Sequence, residues 1–178
     1  AEGKAKNRYI DPANFIMEIQ DEIPPFITTV GVVVNPTDDQ IDFYFELVDR
    51  IQLHGEEDPD WVASIGPRAI KALRMDAGFK PKRANQYIVG AILLDAYDPV
   101  ARGGTGRTVD WDLARKVVEQ VHTPIILAGG LTPENVAEAV RIVRPYGVDV
   151  SGGVEREPGK KDHDKLRRFV REAKLSLP

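Results

Sequence analysis

PIILAGGLTPENVAEAVRIVRPYGVDVSGGV, residues 124–154, contains the most informative pattern in the sequence. Its apolar start predicts a strand over 124–128, which the pair Gly129-Gly130 ends. N-cap residues and a proline at 132–135 then predict the start of a helix, whose apolar face is formed by Val136, Val140 and Val143. A second strand over 148–150 follows, so the stretch is a strand–helix–strand unit of a parallel sheet.

The same alternation of apolar runs and amphipathic segments extends through the rest of the chain. Further strands are predicted at 26–35, 51–54, 68–73 and 89–95. Helices are predicted after Asp11-Pro12, after Asn35-Pro36-Thr37, at 56–65, from the cap Asp110 to Val121, and at 162–174. Residues 76–87 are predicted as a loop with at most a brief helix. The count is six strands, each followed by a helix or a helical loop.

The composition is that of one soluble globular domain. The 178 residues are 42% hydrophobic and 29% charged, with a formal net charge of −4 and no cysteine. Such a balance excludes a disordered chain, a disulfide scaffold and a thiolate metal site, and it offers no basic surface for nucleic acid. The apolar runs are shorter than a membrane span, and no signal peptide is recognisable. We therefore expect a cytoplasmic protein that binds neither nucleic acid nor a membrane.

Polar residues at the strand ends favour a barrel over an open sheet. A doubly wound dinucleotide-binding sheet requires G-x-G-x-x-G after its first strand, whereas here Gly31 lies inside that strand. In a barrel, the carboxyl ends of all strands meet at one mouth, where active sites lie. The residues predicted at those ends are Asn35, Gln52, His54, Asp95, Gly129 and Ser151. The fold class is therefore predicted as α/β, with a barrel favoured over an open doubly wound sheet.

Asp95 is the candidate catalytic residue. It ends the apolar strand 89–95, where partial desolvation favours the protonated form that a general acid needs. The alternative is an aspartate that caps a helix or fixes a loop. The glycine-rich segment 102–106 follows closely and is either a lid over a ligand or a plain turn.

Two glycine loops after neighbouring strands are candidates for binding phosphate. Gly129-Gly130 precedes a predicted helix start, where backbone N–H groups and the helix dipole attract an anion. Ser151-Gly152-Gly153 repeats the pattern after the next strand. Many barrels place a phosphate site after their last two strands, and the alternative is a pair of tight turns.

Four further polar residues are candidates for binding the substrate. Gln52 and His54 alternate with an apolar residue and so share one side of a strand, Asp149 lies in a strand, and Arg8 is suited to bind a carboxylate. Each has an alternative structural or solvated role. No histidines and carboxylates have metal-ligand spacing, so no metal is expected. The basic run 159–174 is interpreted as a solvated terminal helix.

Taken in order, the motifs resemble those of the phosphoribosylanthranilate isomerase family of tryptophan biosynthesis. They are NRYIDP at 7–12, VGVVVN at 30–35, IQLHGEE at 51–57, IKAL at 70–73, LLD at 93–95, GGTGRTVDW at 103–111, LAGGLTPENV at 127–136 and YGVDVSGGVEREPGKKD at 146–162. The resemblance implies a (βα)8 barrel that performs an Amadori rearrangement of N-(5-phosphoribosyl)anthranilate without metal or organic cofactor.

The resemblance also implies roles for individual residues. Asp95 corresponds to the general acid that protonates the ribose ring oxygen, and Arg8 to the arginine that binds the anthranilate carboxylate. Gln52, His54 and Asp149 correspond to residues that line the mouth around the substrate. The loops at Gly129, Gly130, Ser151 and Gly152 correspond to the loops that bind the substrate phosphate in the family. Gly152 replaces a serine of the family motif.

In the family, a cysteine on the first strand is the general base, and no cysteine occurs in residues 1–178. We therefore expect a single barrel domain over 1–178 with about six of eight βα units, incomplete at its N-terminal side. Either the chain represents part of a full isomerase, or another chain supplies the missing strands, or it is an inactive relative that binds phosphorylated ligands.

A different phosphosugar barrel enzyme is a further alternative. An indole-glycerol-phosphate synthase needs lysines and glutamates at strand ends, where only Lys71 is available, and an epimerase needs a metal or paired aspartates. The expected partner is a phosphorylated small molecule, and the expected assembly is a monomer or a homodimer.

Overall fold

The computed structural model describes residues 9–76, 78–96 and 109–176, which contain a six-stranded parallel sheet. The strands are β1 Val30–Val33, β2 Arg50–Leu53, β3 Ala69–Met75, β4 Ala91–Ala96, β5 Ile125–Leu127 and β6 Gly147–Val148. Their order in the sheet is their order in the chain. A doubly wound sheet reverses its strand order at a switch point, whereas a (βα) barrel does not. The topology is therefore that of a barrel.

One helix precedes β1, and the others alternate with the strands as the sequence indicates. They are α1 Pro12–Glu18, α2 Asp38–Phe45, α3 Pro59–Ile65, α4 Trp111–Gln120, α5 Val136–Val143 and α6 His163–Leu175. Asp110 caps α4 by accepting a hydrogen bond from the backbone N–H of Leu113 at 3.0 Å, so that prediction is confirmed. Within the described ranges, the structure contains no helix that is both long and apolar enough to cross a membrane.

Several predicted boundaries are wrong for local reasons. The first strand begins at Val30 rather than residue 26, because the N–H of Ile27 bonds to the Pro24 carbonyl and closes a turn after the two prolines. Helix α3 begins at Pro59 because Asp58 caps it. The last strand of the sheet spans 147–148 instead of 148–150.

The start of the basic run is also not helical. Strands β7 Glu155–Glu157 and β8 Lys160–Lys161 pair as a small antiparallel hairpin before α6 begins. The interpretation of 159–174 as one terminal helix is therefore wrong for its first residues.

The two faces of the sheet carry separate clusters of apolar residues. The larger core, which includes Ile51, Leu53, Leu94 and Leu127, packs against the helices. On the opposite face lies a small cluster of Ile70, Ala72, Ala91, Leu93 and Ala128. We call this second face the inner face. Because side chains alternate along a strand, Gln52, His54 and Asp95 belong to the inner face.

Candidate active site

Asp95 and His54 meet at the carboxyl end of the sheet. Asp95 lies on β4 and is 5% exposed, and its Oδ1 accepts a hydrogen bond from the N–H of Ala96. His54 follows β2, and its Nε2 lies 3.3 Å from Oδ2 of Asp95. The Nε2 of Gln52 lies 3.3 Å from Nδ1 of the same ring. The predicted acid and two predicted substrate-binding residues therefore form one group.

Asp149 adds a second carboxyl group to this end of the inner face. Its backbone N–H bonds to the Leu127 carbonyl and continues the ladder beyond β6. The pKa of Asp149 is raised, first by desolvation and second by the negative charge of Asp95, against the opposing effects of His54 and Lys161. This interaction between aspartates was not expected from the sequence.

The first glycine loop has a backbone conformation that favours glycine. Gly129 and Gly130 have φ angles of 79° and 67°, which residues with side chains rarely adopt. A Cβ on Gly129 would lie 2.5 Å from the backbone nitrogen of Ala96, so the loop packs directly against the end of β4. Asn135 holds the loop, because its Oδ1 accepts from Thr132 N–H and its Nδ2 donates to the Gly130 carbonyl.

The second glycine loop lies against the first. Ser151 is followed by a 3-10 turn at Gly152–Val154. A Cβ on Gly153 would collide with the carbonyl oxygen of Leu131, so only glycine allows this approach. The two predicted phosphate loops are therefore neighbours in space as well as in topology.

Lys161 is a functional candidate that the sequence analysis did not identify. Its Nζ donates to the Ser151 carbonyl at 2.8 Å and forms an ion pair with Glu155 at 3.1 Å. A hairpin thus brings a cation to the second glycine loop. The motif YGVDVSGGVEREPGKKD contains both partners, but the ten-residue separation gives no periodic signal of their contact.

Lys71 has a different position from the one considered in the sequence analysis. Instead of lining the mouth as a strand-end lysine, it lies in the middle of β3 with its side chain 2% exposed. Its Nζ lies 2.8 Å from Oε2 of Glu57, whose side chain is equally buried. This buried pair was also not identified from the sequence.

Two of the sequence-based predictions lie outside the described residues, namely Arg8 and the loop 102–106. In the part of the chain that the structure describes, no three histidine or carboxylate side chains are grouped so as to hold a metal ion.

The sequence matches one family of known proteins. The family model for N-(5'-phosphoribosyl)anthranilate (PRA) isomerase matches residues 9–172. The N-(5'-phosphoribosyl)anthranilate isomerase of Geobacter metallireducens is 48% identical over 157 residues, which are 85% of this chain and 75% of the relative.

Solved structures show the same similarity. The phosphoribosyl anthranilate isomerase from Thermotoga maritima aligns with a TM-score of 0.82 at 37% identity, over 95% of this chain and 83% of that one. A structure of such an isomerase in complex with reduced 1-(o-carboxyphenylamino)-1-deoxyribulose 5-phosphate gives a TM-score of 0.79 at 36% identity, over 95% and 82% of the two chains. Together with the strand order, these matches confirm the predicted barrel type.

Proposed function

The chain belongs to the N-(5'-phosphoribosyl)anthranilate isomerase family of tryptophan biosynthesis, and we propose that Asp95 is the general acid of the isomerase reaction. The observation that carries this proposal is the place of its carboxyl group. Asp95 is buried at the end of β4, within 3.3 Å of the His54 imidazole and beside the phosphate loop at Gly129. The pKa of a second acidic group, Asp149, is raised by desolvation and by the charge of Asp95.

The proposed first step is proton transfer from the Asp95 carboxyl group to the ring oxygen of the ribose. The C1–O bond then breaks, and the lone pair of the anthranilate nitrogen forms a double bond to C1. Loss of the C2 proton to a general base, followed by tautomerisation, gives the ketose 1-(2-carboxyphenylamino)-1-deoxyribulose 5-phosphate. We assign no base within residues 1–178.

The phosphate is proposed to bind at the two glycine loops. Backbone N–H groups at Gly129, Gly130, Ser151 and Gly152 are the proposed donors, a role that needs no side chain and so tolerates the glycine at 152. Lys161 places its ammonium group at this end of the site, where Nζ is held by the Ser151 carbonyl and the Glu155 carboxylate.

The other end of the substrate is assigned to side chains. Gln52, His54 and Asp149 are proposed to contact the ribose and the linking nitrogen from the inner face. Arg8 is proposed to bind the anthranilate carboxylate in a bidentate manner.

The same proposal covers the cofactor requirement, domain, assembly and location. The rearrangement consists of proton transfers with no net oxidation, so the proposed mechanism uses neither a metal nor an organic cofactor. Residues 1–178 are assigned to one barrel-type domain, working as a monomer or homodimer on a phosphorylated small molecule in the cytoplasm.

A turnover assay on the purified protein tests this function. Incubation with N-(5'-phosphoribosyl)anthranilate is expected to yield the ketose, measured by chromatographic separation of substrate and product. A folded protein that binds the reduced product analogue but forms no ketose would instead support the non-catalytic, ligand-binding alternative.

A further inference from the structure

Glu57 and Lys71 form a buried cluster next to His54 that the proposed chemistry does not use. Their Oε2 and Nζ atoms lie 2.8 Å apart, and both side chains are 2% exposed. The Lys71 ammonium also lies 5.6 Å from the centre of the Tyr87 ring. Lys71 alternates with the inner-face residues of β3, so its side chain lies on the helix side of the sheet.

Lys71 binds the backbone on both sides of His54. Its Nζ donates to the carbonyl of Leu53 at 3.4 Å and to the carbonyl of Gly55 at 3.0 Å. The N–H of His54 itself donates to the Val33 carbonyl at 2.9 Å. The peptide units around the imidazole are therefore fixed from two directions.

Glu57 holds the same turn from its other end. Its Oε1 accepts from the N–H of Gly55 and from the N–H of Asn35, both at 2.9 Å. Asn35 adopts a φ of 47°, and its Oδ1 accepts from the N–H of Glu56 at 2.8 Å. A Cβ on Gly55 would collide with both Asn35 Oδ1 and Glu57 Oε1. The turn at 54–57 thus closes tightly around the Glu57 carboxylate.

A contribution to the stability of the fold does not by itself explain why Glu57 and Lys71 are buried as an ion pair. Burying two charges costs free energy that their attraction often fails to offset, and apolar replacements of similar volume are frequently neutral or stabilising. Burial by itself would raise the pKa of Glu57, but the hydrogen bonds from Lys71 and Asn35 outweigh it and lower that pKa. The carboxylate is therefore kept charged by donors that also define the turn.

We propose that Glu57 and Lys71 are positioning residues, which hold the turn at 54–57 so that the His54 imidazole lies against Asp95. This inference rests on the proposed function, because it gives the turn a role in orienting the general acid. Neither residue lies on the inner face, and neither is proposed to touch the substrate.

The test compares two variants with a matched control. In the double variant Glu57→Gln/Lys71→Met, both charges and the ammonium donors are lost, but no uncompensated charge stays buried. In Gly55→Ala, every charge is kept and the added methyl group displaces Asn35 and Glu57. The control is Arg115→Met/Glu119→Gln, which removes an exposed ion pair on α4.

Four quantities are measured on each protein: the urea midpoint, kcat and KM for the isomerase, and the imidazole NMR shifts of His54 without substrate. The chain has three histidines, so assignment is simple. We expect kcat to fall about tenfold or more in both test variants, as for a misplaced catalytic group. KM should change far less, the His54 resonances should shift, and the control should resemble the parent.

A double variant that folds with parental kcat and unchanged His54 resonances would overturn the proposal. If the double variant does not fold, Gly55→Ala decides by the same criteria. If the parent protein shows no turnover, the proposed function fails separately, and the His54 resonances alone decide whether the pair positions the imidazole.

Discussion

The imidazole of His54 reaches across β3 to Asp95, with 3.3 Å between Nε2 and Oδ2, although β2 and β4 are not neighbours in the sheet. The strand between them has the small residue Ala72 on its inner face, within the cluster that lies beneath the site. The contact therefore depends on three consecutive strands keeping their register.

His54→Gln should lower kcat by about tenfold or more, because it removes the ring that lies against the proposed acid. KM should change less than kcat, since the phosphate loops stay intact. Steady-state kinetics with His122→Gln, which alters an exposed histidine, provides the control. Equal kcat in both variants would show that the imidazole has no part in the reaction.

Asp149→Asn should stabilise the protein at neutral pH. A raised pKa means that the folded state holds its proton more tightly than the unfolded state, so stability falls as pH rises above the ordinary aspartate value of 3.8. The substitution removes this loss of stability at pH 7. It leaves the free energy of unfolding unchanged below the pKa that the aspartate has in the unfolded state. Urea unfolding at pH 3 and pH 7 measures the difference.

The exposed carboxylate of Asp42 on α2 is the reference for this comparison. Asp42→Asn should show no comparable gain between the two pH values. The raised pKa would be contradicted if Asp149→Asn did not increase the free energy of unfolding at pH 7, or if it increased it equally at pH 3.

Lys161→Met should weaken binding of the reduced product analogue about tenfold, or about 1.4 kcal/mol, because it removes the cation held at the Ser151 carbonyl. Lys160→Met on the same short strand is the matched control, since Lys160 pairs with the exposed Glu157 instead. Calorimetric titration compares the two. Equal affinities would exclude Lys161 from the phosphate site.

Gly153→Ala should weaken analogue binding and lower stability by about 1–3 kcal/mol, the usual cost of overpacking. The new methyl group would collide with the Leu131 carbonyl and push the glycine loops apart. Gly147→Ala, where a Cβ would make an ordinary 3.9 Å contact with Ile126, should be tolerated. Similar losses of analogue affinity in Gly153→Ala and Gly147→Ala would show that binding does not require the contact between the two glycine loops.

The sequence predicted the elements well because their signals are local. Asp110 is a short-range cap, and the alternation of Gln52 and His54 on one strand follows from strand geometry alone. The preference for a barrel also followed from the absence of a dinucleotide motif and from the polar strand ends.

The missed features depend on long-range contacts. Glu57 and Lys71 pair across fourteen positions, from a turn to a neighbouring strand, and no local pattern distinguishes a buried charge from a solvated one. Lys161 reaches Ser151 only because an unpredicted hairpin folds back. Hairpins of two or three residues per strand are too short for a periodic signal.

The most direct test of the central claim is kcat of Asp95→Asn, measured together with its affinity for the reduced product analogue. General acid catalysis contributes about 10²–10⁴-fold, so kcat should fall by at least a hundredfold while the analogue still binds. Asparagine has nearly the same shape but has no acidic proton to give to the ring oxygen. Turnover equal to that of the parent protein would contradict the assignment of Asp95 as the acid.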